Sequence, residues 1–161
     1  VCLSVEANLH EINRMGDKDC EMVVYGYLPL MKTQQCPIGN YVGGKDGHKF
    51  CTERSNEDLY FLRDRKGAKF PLMTDCERCV CTILNGKPLF TLKFYDEILE
   101  STTGLVRLDF TKEGPGRAER IAKAYGEMTA DAERMSPATR NLLGEMSEKG
   151  STKGHFFRGV E

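Results

Sequence analysis

The sequence predicts an α/β fold: a parallel sheet with helices, interrupted by an inserted cysteine-rich β-hairpin. The first observation behind this is a strand–helix–strand order at the start of the chain, which is typical of a βαβ unit. The second is a long polar segment containing cysteines, followed by two short β-rich segments, which breaks the α/β pattern. The third is a strand and a pair of helices that resume the α/β pattern near the end.

Residues 1–30 carry the predicted strand–helix–strand unit. Val1–Val5 is mostly apolar and predicts a buried strand, and Asn8–Met15 predicts a short helix that ends before a Gly-Asp pair. Glu21–Leu30 is rich in β-branched and aromatic residues and predicts a second strand that ends near a proline. Two strands joined through a helix favour parallel pairing.

Residues 31–92 form the predicted cysteine-rich insertion. The polar, glycine-rich stretch Met31–Asp58 is longer than ordinary loops, so a function or a bound group is expected to hold it. Leu59–Arg63 and Ala68–Met73 predict the two strands of a hairpin. Between them, Asp64–Gly67 predicts a turn in which the glycine supplies a positive φ.

Residues 93–161 are expected to contain the final strand of the sheet, two C-terminal helices and a tail. The strand alternates apolar and polar side chains, and the second of the long helices contains a Ser-Pro interruption. The predicted elements are a short helix over Tyr95–Glu100, the strand Leu105–Phe110, and helices over Glu113–Met128 and Thr129–Glu145, the latter interrupted at Ser136-Pro137.

The composition is that of a globular protein with 161 residues, of which 40% are hydrophobic and 29% charged, and a formal net charge of −1. This weak net charge gives no general electrostatic argument for nucleic-acid binding. No apolar run approaches the ~20 residues that span a bilayer, and the first residues lack the features of a signal peptide. We expect a cytoplasmic protein without a membrane partner. Because the chain opens on the apolar Val1 rather than on Met, we also expect a fragment of a longer protein.

Four of the seven cysteines predict a metal centre, since clustered cysteines in a reducing compartment more often bind metal than form disulfides. Cys36 and Cys51 lie in the polar stretch, and Cys76 and Cys79 form a Cys-x-x-Cys pair. Four thiolates suit tetrahedral zinc or an iron–sulfur cluster, and the irregular spacing favours the cluster. The alternative is that these are ordinary buried thiols. Cys81 could replace Cys79, because the two lie on the same side of an extended chain.

Several segments resemble, in this order, the collagenase-like peptidases of unknown catalytic type, peptidase family U32. The resemblance covers essentially the whole chain. The segments are Glu21–Met31 (EMVVYGYLPLM) with Gln35-Cys36, Leu62–Gly67 (LRDRKG), Phe70-Pro71 with Cys76 and Cys79, Ile83–Asn85, Arg107–Thr111 (RLDFT) and Gly154–Val160 (GHFFRGV).

The resemblance implies that the chain is the C-terminal part of a TIM-like (β/α) barrel, whose N-terminal half would be its partner. Some family members hold a four-iron four-sulfur cluster with four cysteines. The subgroup similar to this chain contains the 23S rRNA 5-hydroxycytidine synthase and tRNA hydroxylation proteins, with prephenate implicated as co-substrate. In several members one ligand precedes the position of Cys36, where this chain has no cysteine, so Cys79 is assigned as the fourth ligand.

The full-length parent is therefore expected to be an iron–sulfur-dependent RNA hydroxylase that modifies a pyrimidine in rRNA or tRNA. One alternative is a collagenase-like peptidase. However, the sequence contains neither a Gly-x-Ser-x-Gly nor a His-Glu-x-x-His motif, and it identifies no catalytic residue. The other alternative is a truncated metal-binding fragment without catalysis. In either case we expect this chain alone to be inactive.

Three residues are candidates for substrate binding. Arg107 lies among apolar neighbours on a predicted strand, and a buried arginine needs an anionic partner. A dicarboxylate such as prephenate would suit its guanidinium, and an ion pair with Asp109 or Glu113 is the alternative. Glu6 follows the first predicted strand, where a barrel would have its mouth. Arg65 belongs to the predicted hairpin.

The predicted hairpin combines basic and aromatic side chains. They could contact RNA phosphates and bases, or they could form an ordinary solvated face. The basic residues are Arg63, Arg65, Lys66 and Lys69, and the aromatic residues are Tyr60 and Phe61.

Overall fold

The computed structural model contains strands and helices in two units, an α/β arrangement as predicted. It describes residues 1–15, 19–42, 60–101, 105–130 and 135–157. Unit 1 consists of Val1–Tyr27 and Lys87–Glu161, and unit 2 is the segment Leu28–Gly86 between them. Within the described ranges no helix is both long and apolar enough to cross a membrane.

The elements of the described ranges follow one another along the chain in a mixed order of helices and strands. They are α1 (Leu9–Met15), β1 (Glu21–Gly26), β2 (Pro29–Thr33), α2 (Pro37–Val42), β3 (Phe61–Arg63), β4 (Lys69–Asp75), β5 (Val80–Leu84), β6 (Leu89–Phe90), a 3₁₀ turn (Leu92–Phe94), α3 (Tyr95–Ser101), β7 (Leu105–Asp109), α4 (Pro115–Ala130) and α5 (Pro137–Lys149).

The sheet of unit 1 has three strands in the order β6–β1–β7. Strands β1 and β7 are parallel, with Glu21 opposite Leu105 and Gly26 opposite Asp109. This pairing agrees with the parallel sheet that the sequence predicts, in which the segment over Leu105–Phe110 is the final strand. Strand β6 pairs antiparallel with β1 on the other side, a contact that the sequence does not indicate.

The predicted strand Glu21–Leu30 is wrong in its second half, because β1 ends at Gly26. Gly26 has a φ of 141°, and a Cβ built on it would lie 2.6 Å from the backbone oxygen of Asp109. Only glycine fits such a conformation and such a close approach. The chain leaves the first sheet there and begins β2 at Pro29, in the second sheet.

The predicted strand Val1–Val5 is also wrong in extent. It is reduced to one parallel bridge between Cys2 and Glu21. Ser4 then turns the chain, because its backbone oxygen accepts from the N–H of Ala7 (3.1 Å) and its hydroxyl from the N–H of Glu6 (3.3 Å). Serine side chains favour such local turns over a strand.

Helix α4 packs against the sheet of unit 1 through Tyr125, which is buried. The Tyr125 hydroxyl donates to the backbone oxygen of Val24 (2.9 Å) and accepts from the N–H of Thr91 (3.0 Å). Its ring makes edge contacts with Tyr25 and with Tyr95. The core of unit 1 is therefore fixed both by apolar burial and by a hydrogen-bonded tyrosine.

Helix α5 begins at Pro137, so the helix predicted from Thr129 is corrected to start after the Ser-Pro interruption. Ser136 caps it by accepting from the N–H of Thr139 (3.3 Å). Glu127 of α4 fastens this cap, since its Oε2 accepts from the Thr139 hydroxyl (2.7 Å) and the Ser136 N–H (3.1 Å).

We expect Glu127→Gln to weaken unit 1 at neutral pH and to flatten its loss of stability in acid. The hydrogen bonds from Thr139 and Ser136 hold the pKa of Glu127 below its usual value. Stability from this carboxylate is therefore present above its unfolded pKa of ~4.3 and is lost as the pH falls through the lower folded value. Urea midpoints at neutral and acid pH would measure this, with Glu100→Gln as the control. A variant with the pH dependence of the unsubstituted chain would contradict it.

Unit 2 is built on a four-stranded antiparallel sheet in the order β2–β5–β4–β3. Strands β3 and β4 form the predicted hairpin, with Phe61 opposite Pro71. A buried cluster covers one face of this sheet and consists of Ile38, Leu72, Cys81 and Ile83. The two ends of the unit meet, because the N–H of Asn85 donates to the backbone oxygen of Leu28 (2.8 Å).

Candidate functional site

Three cysteines lie at one end of the second sheet. Strands β2 and β4 both run antiparallel to β5, so both end where β5 begins. Thr33 of β2 and Thr74 of β4 both pair with Cys81 of β5 at this end. Cys36 follows β2, and the loop Cys76–Cys79 joins β4 to β5. The topology of the sheet therefore gathers cysteines that are 40 or more positions apart in the sequence.

Cys36 is partly buried and packs against the core cluster of unit 2. Its Sγ accepts a hydrogen bond from the backbone N–H of Gly39 (3.3 Å). A backbone donor aimed at the sulfur fixes its position, as suits a metal ligand.

The Cys76–Cys79 loop holds a backbone conformation that is unusual for its sequence. Cys79 has a φ of 52°, in the left-handed region that favours glycine. Such a conformation costs roughly 1–3 kcal/mol and is concentrated at functional sites. The loop is held by Asp75, whose Oδ1 accepts from the N–H of Arg78 (3.1 Å). The Sγ of Cys79 is exposed, 3.9 Å from the backbone oxygen of Cys76.

Cys81 occupies a different environment from Cys79. It lies between Thr33 and Thr74 in the sheet, and it is 0% exposed within the core cluster. Cys79 is exposed in the loop. Of the two alternatives for a ligand, Cys79 is the one that the fold presents at the end of the sheet.

The six cysteines in the described ranges form no disulfide bonds with one another: Cys2, Cys20, Cys36, Cys76, Cys79 and Cys81. Within those ranges, no three His, Cys, Asp or Glu side chains are grouped closely enough to hold a metal ion. The predicted ligand Cys51 lies outside the described residues, so the set of four stays a prediction. The donor chemistry fits, because soft thiolates at one end of one sheet suit zinc or iron.

Arg107 lies on the predicted strand, but the expectation that it is buried is wrong, since its side chain is 48% exposed. The register puts Leu108 of β7 beside Tyr25, whose ring contacts α4. Because neighbouring residues of a strand point to opposite faces, Arg107 extends from the face of the sheet opposite α4. Its Nε donates to Oδ1 of Asp109 (2.7 Å) and its Nη1 to Oε1 of Glu21 (3.1 Å).

The pairing of Arg107 changes the ionisation of its partners. A hydrogen bond from Arg107 lowers the pKa of Glu21, and those to Asp109 and Glu21 raise the pKa of Arg107. Two carboxylates already face one guanidinium. A dicarboxylate ligand would have to displace one of them. In this structure Arg107 forms ion pairs within the chain, with Asp109 and Glu21.

Glu6 and Arg65 are both exposed and lie in turns. Glu6 is part of the turn after the Cys2 bridge, beside the beginning of β1 rather than its carboxyl end. Arg65 belongs to the turn of the β3–β4 hairpin, which Asp64 holds by accepting from the N–H groups of Lys66 and Ala68, both at 2.8 Å. Glu6 and Arg107 belong to unit 1, and Arg65 belongs to unit 2.

A partly buried polar contact at the carboxyl ends of β1 and β7 was not predicted. The hydroxyl of Tyr25 donates to Oε1 of Glu113 (2.7 Å), and Oε2 of Glu113 accepts from the N–H groups of Thr111 (2.9 Å) and Lys112 (3.0 Å). Burial, then the bond to Glu113, raises the pKa of Tyr25 well above its usual range. A tyrosine in an apolar strand indicates only that its ring is buried. The sequence around Tyr25 does not indicate its partner Glu113, which is 88 positions away.

A comparison with models of protein families matches residues 1–161 to the one described as peptidase family U32. No curated protein and no solved structure matches the chain. The match spans every segment on which the resemblance was based. The chain belongs to peptidase family U32, the collagenase-like family.

Proposed function

We propose that Cys36, Cys51, Cys76 and Cys79 hold a metal centre in this chain, a four-iron four-sulfur cluster, with zinc as the alternative. The placement of three of them at one end of the second sheet is the observation that carries the proposal. The hydrogen bond from Gly39 to Cys36 and the left-handed backbone of Cys79 support it.

The residues of the chain would bind and orient such a centre. Cys36 would be held by α2 and by the N–H of Gly39, while Cys76 and Cys79 would be held by the short loop between β4 and β5. A bound cluster supplies one-electron transfer, and zinc would supply structural cross-linking instead. A thiolate centre is compatible with a reducing compartment, so we place the protein in the cytoplasm.

We propose further that the full-length parent is an RNA hydroxylase that modifies a pyrimidine of rRNA or tRNA, with prephenate as co-substrate. This rests on the resemblance of the chain to that subgroup of the family. The parallel pair β1–β7, with α4 on one face, supports a place in the C-terminal part of a (β/α) barrel completed by an N-terminal half. A peptidase is the second candidate, which the name of the family favours.

Deleting the parent gene and measuring modified nucleosides by mass spectrometry would separate the two candidates. We expect a hydroxylated pyrimidine to disappear from ribosomal or transfer RNA. The wild-type gene should restore it and a Cys76→Ala gene should not. An unchanged nucleoside profile, together with collagen cleavage by the purified metal-free parent, would establish the peptidase instead.

A further inference from the structure

We propose that the exposed side of the β3–β4 hairpin binds a single strand of nucleic acid. This surface, here called the hairpin face, is defined by five residues of the sheet and two of the turn. They are Lys32, Phe61, Arg63, Lys69 and Met73 of the sheet, and Arg65 and Lys66 of the turn.

The register of unit 2 puts the five sheet residues on one face. Lys69 and Met73 are separated by an even number of positions on β4, so they point to the same side. Arg63 lies opposite Lys69. Lys32 shares the row of Met73, because both pair with Thr82 of β5. The core cluster lies on the other side, and the five side chains themselves are exposed.

The hairpin face has a strong local positive charge although the chain as a whole is nearly neutral. From Tyr60 to Lys69 there are four basic residues and one acidic residue, a net charge of +3. In the part of the chain that the structure describes, none of the basic residues of the hairpin face forms an ion pair with a carboxylate. By contrast, Arg107, Arg117, Arg120 and Lys123 of unit 1 do.

Two acidic residues of β4 and the hairpin turn, both in the described ranges, are already engaged. Asp64 accepts two backbone N–H groups within the turn. Asp75, at the far end of β4, is paired with Arg78 (3.6 Å). The cations of the hairpin face are therefore available to an external polyanion, and phosphate groups along a nucleic-acid backbone are such partners.

An aromatic ring lies among these cations. Phe61 is 44% exposed, whereas its neighbour Tyr60 packs against the core cluster. The Nζ of Lys69 lies 5.6 Å from the centre of the Phe61 ring, which holds both side chains in place. An exposed ring beside cations can stack an unpaired base while the cations contact its phosphates.

An exposed aromatic ring together with several cations favours a single strand of nucleic acid over other polyanions. A duplex keeps its bases stacked internally and would use only the cations, as would an acidic peptide. A membrane surface is usually bound by an amphipathic helix, whereas this face is a short twisted sheet with one exposed ring. No residue of the hairpin face is one of the four proposed ligands of the metal centre, so the two sites can be tested by different substitutions.

Fluorescence anisotropy with a labelled oligouridine and the purified chain would test this. We expect Arg63→Gln combined with Lys69→Gln to weaken binding and to reduce the salt slope by about 0.7 for each phosphate that the variant no longer neutralises. Phe61→Leu keeps an apolar side chain but removes the stacking ring, so it should weaken binding about fivefold or more. A duplex of the same length should bind less tightly than the single strand.

The matched control is Lys93→Gln combined with Lys123→Gln, which removes the same charge from exposed positions of unit 1. This double variant should bind oligouridine as the unsubstituted chain does. If both double variants weakened binding equally, the loss would follow from the change in net charge alone, and the proposal would be overturned. It would also be overturned by binding of polyglutamate or anionic vesicles as tight as that of oligouridine with no effect of Phe61→Leu. Phe61→Leu should retain the metal content of the unsubstituted chain, which separates this test from that of the metal centre.

Discussion

Cys76→Ser is expected to remove bound metal from the purified chain and to unfold unit 2 without greatly affecting unit 1. The binding free energy of a structural thiolate site adds directly to folding and is on the order of 10 kcal/mol for zinc at neutral pH. The sequence around Cys51 is polar and glycine-rich, so it offers few apolar side chains to a core. Metal content by elemental analysis and the visible absorbance of anaerobically purified protein would measure the loss. Cys36→Ser should behave in the same way.

Cys2→Ser is the matched control, since Cys2 is an exposed thiol of unit 1 and is not among the proposed ligands. It should retain metal at the level of the unsubstituted chain. If Cys76→Ser and Cys36→Ser retained metal as Cys2→Ser does, the four-cysteine assignment would be wrong.

Tyr125→Ala is expected to destabilise unit 1 by about 3–5 kcal/mol, the range for removing a large buried aromatic side chain. Tyr125→Phe isolates the hydroxyl. It leaves the N–H of Thr91 without its acceptor in the core, and an unsatisfied buried donor costs roughly 1–3 kcal/mol. Urea denaturation followed by far-ultraviolet circular dichroism would measure both, since α4 and α5 belong to unit 1.

Tyr41→Phe provides the comparison, because Tyr41 is 95% exposed. Removing its hydroxyl should change stability by less than ~0.5 kcal/mol, as for most surface substitutions. A Tyr125→Phe variant as stable as Tyr41→Phe would show that the hydrogen bonds between α4, Val24 and Thr91 contribute nothing to unit 1.

Local patterns in the sequence were sufficient for the parts of the fold whose causes are local. The β3–β4 hairpin follows from two β-rich segments around Asp64–Gly67, and Gly67 indeed has a positive φ of 84°. The end of β1 was missed because it depends on how closely Gly26 approaches Asp109, 83 positions later. A run of apolar residues that crosses from one sheet to another gives no internal sign of the break.

The candidate site also combines features that the local sequence predicts with features that depend on contacts distant in the sequence. The residue types of Cys36, Cys76 and Cys79 were enough to predict metal chemistry, but their placement at one end of a sheet depends on the pairing of β2 with β5. Arg107 was expected to be buried because its neighbours in the sequence are apolar. Its actual environment is set by Glu21, 86 positions away, and by the absence of α4 from its side of the strand.

The hydrogen bond that joins Asn85 to Leu28 has a consequence for the order of folding events. Strands β1 and β6 pair through Gly26 and Leu89, which are 63 positions apart, so forming this pair first would close a long loop. If unit 2 forms first, its ends are already adjacent. The effective loop then shrinks to a few residues, which lowers the entropic barrier by about 2 kcal/mol. In that order of events, the inserted segment would bring together two strands of a sheet to which it does not itself belong.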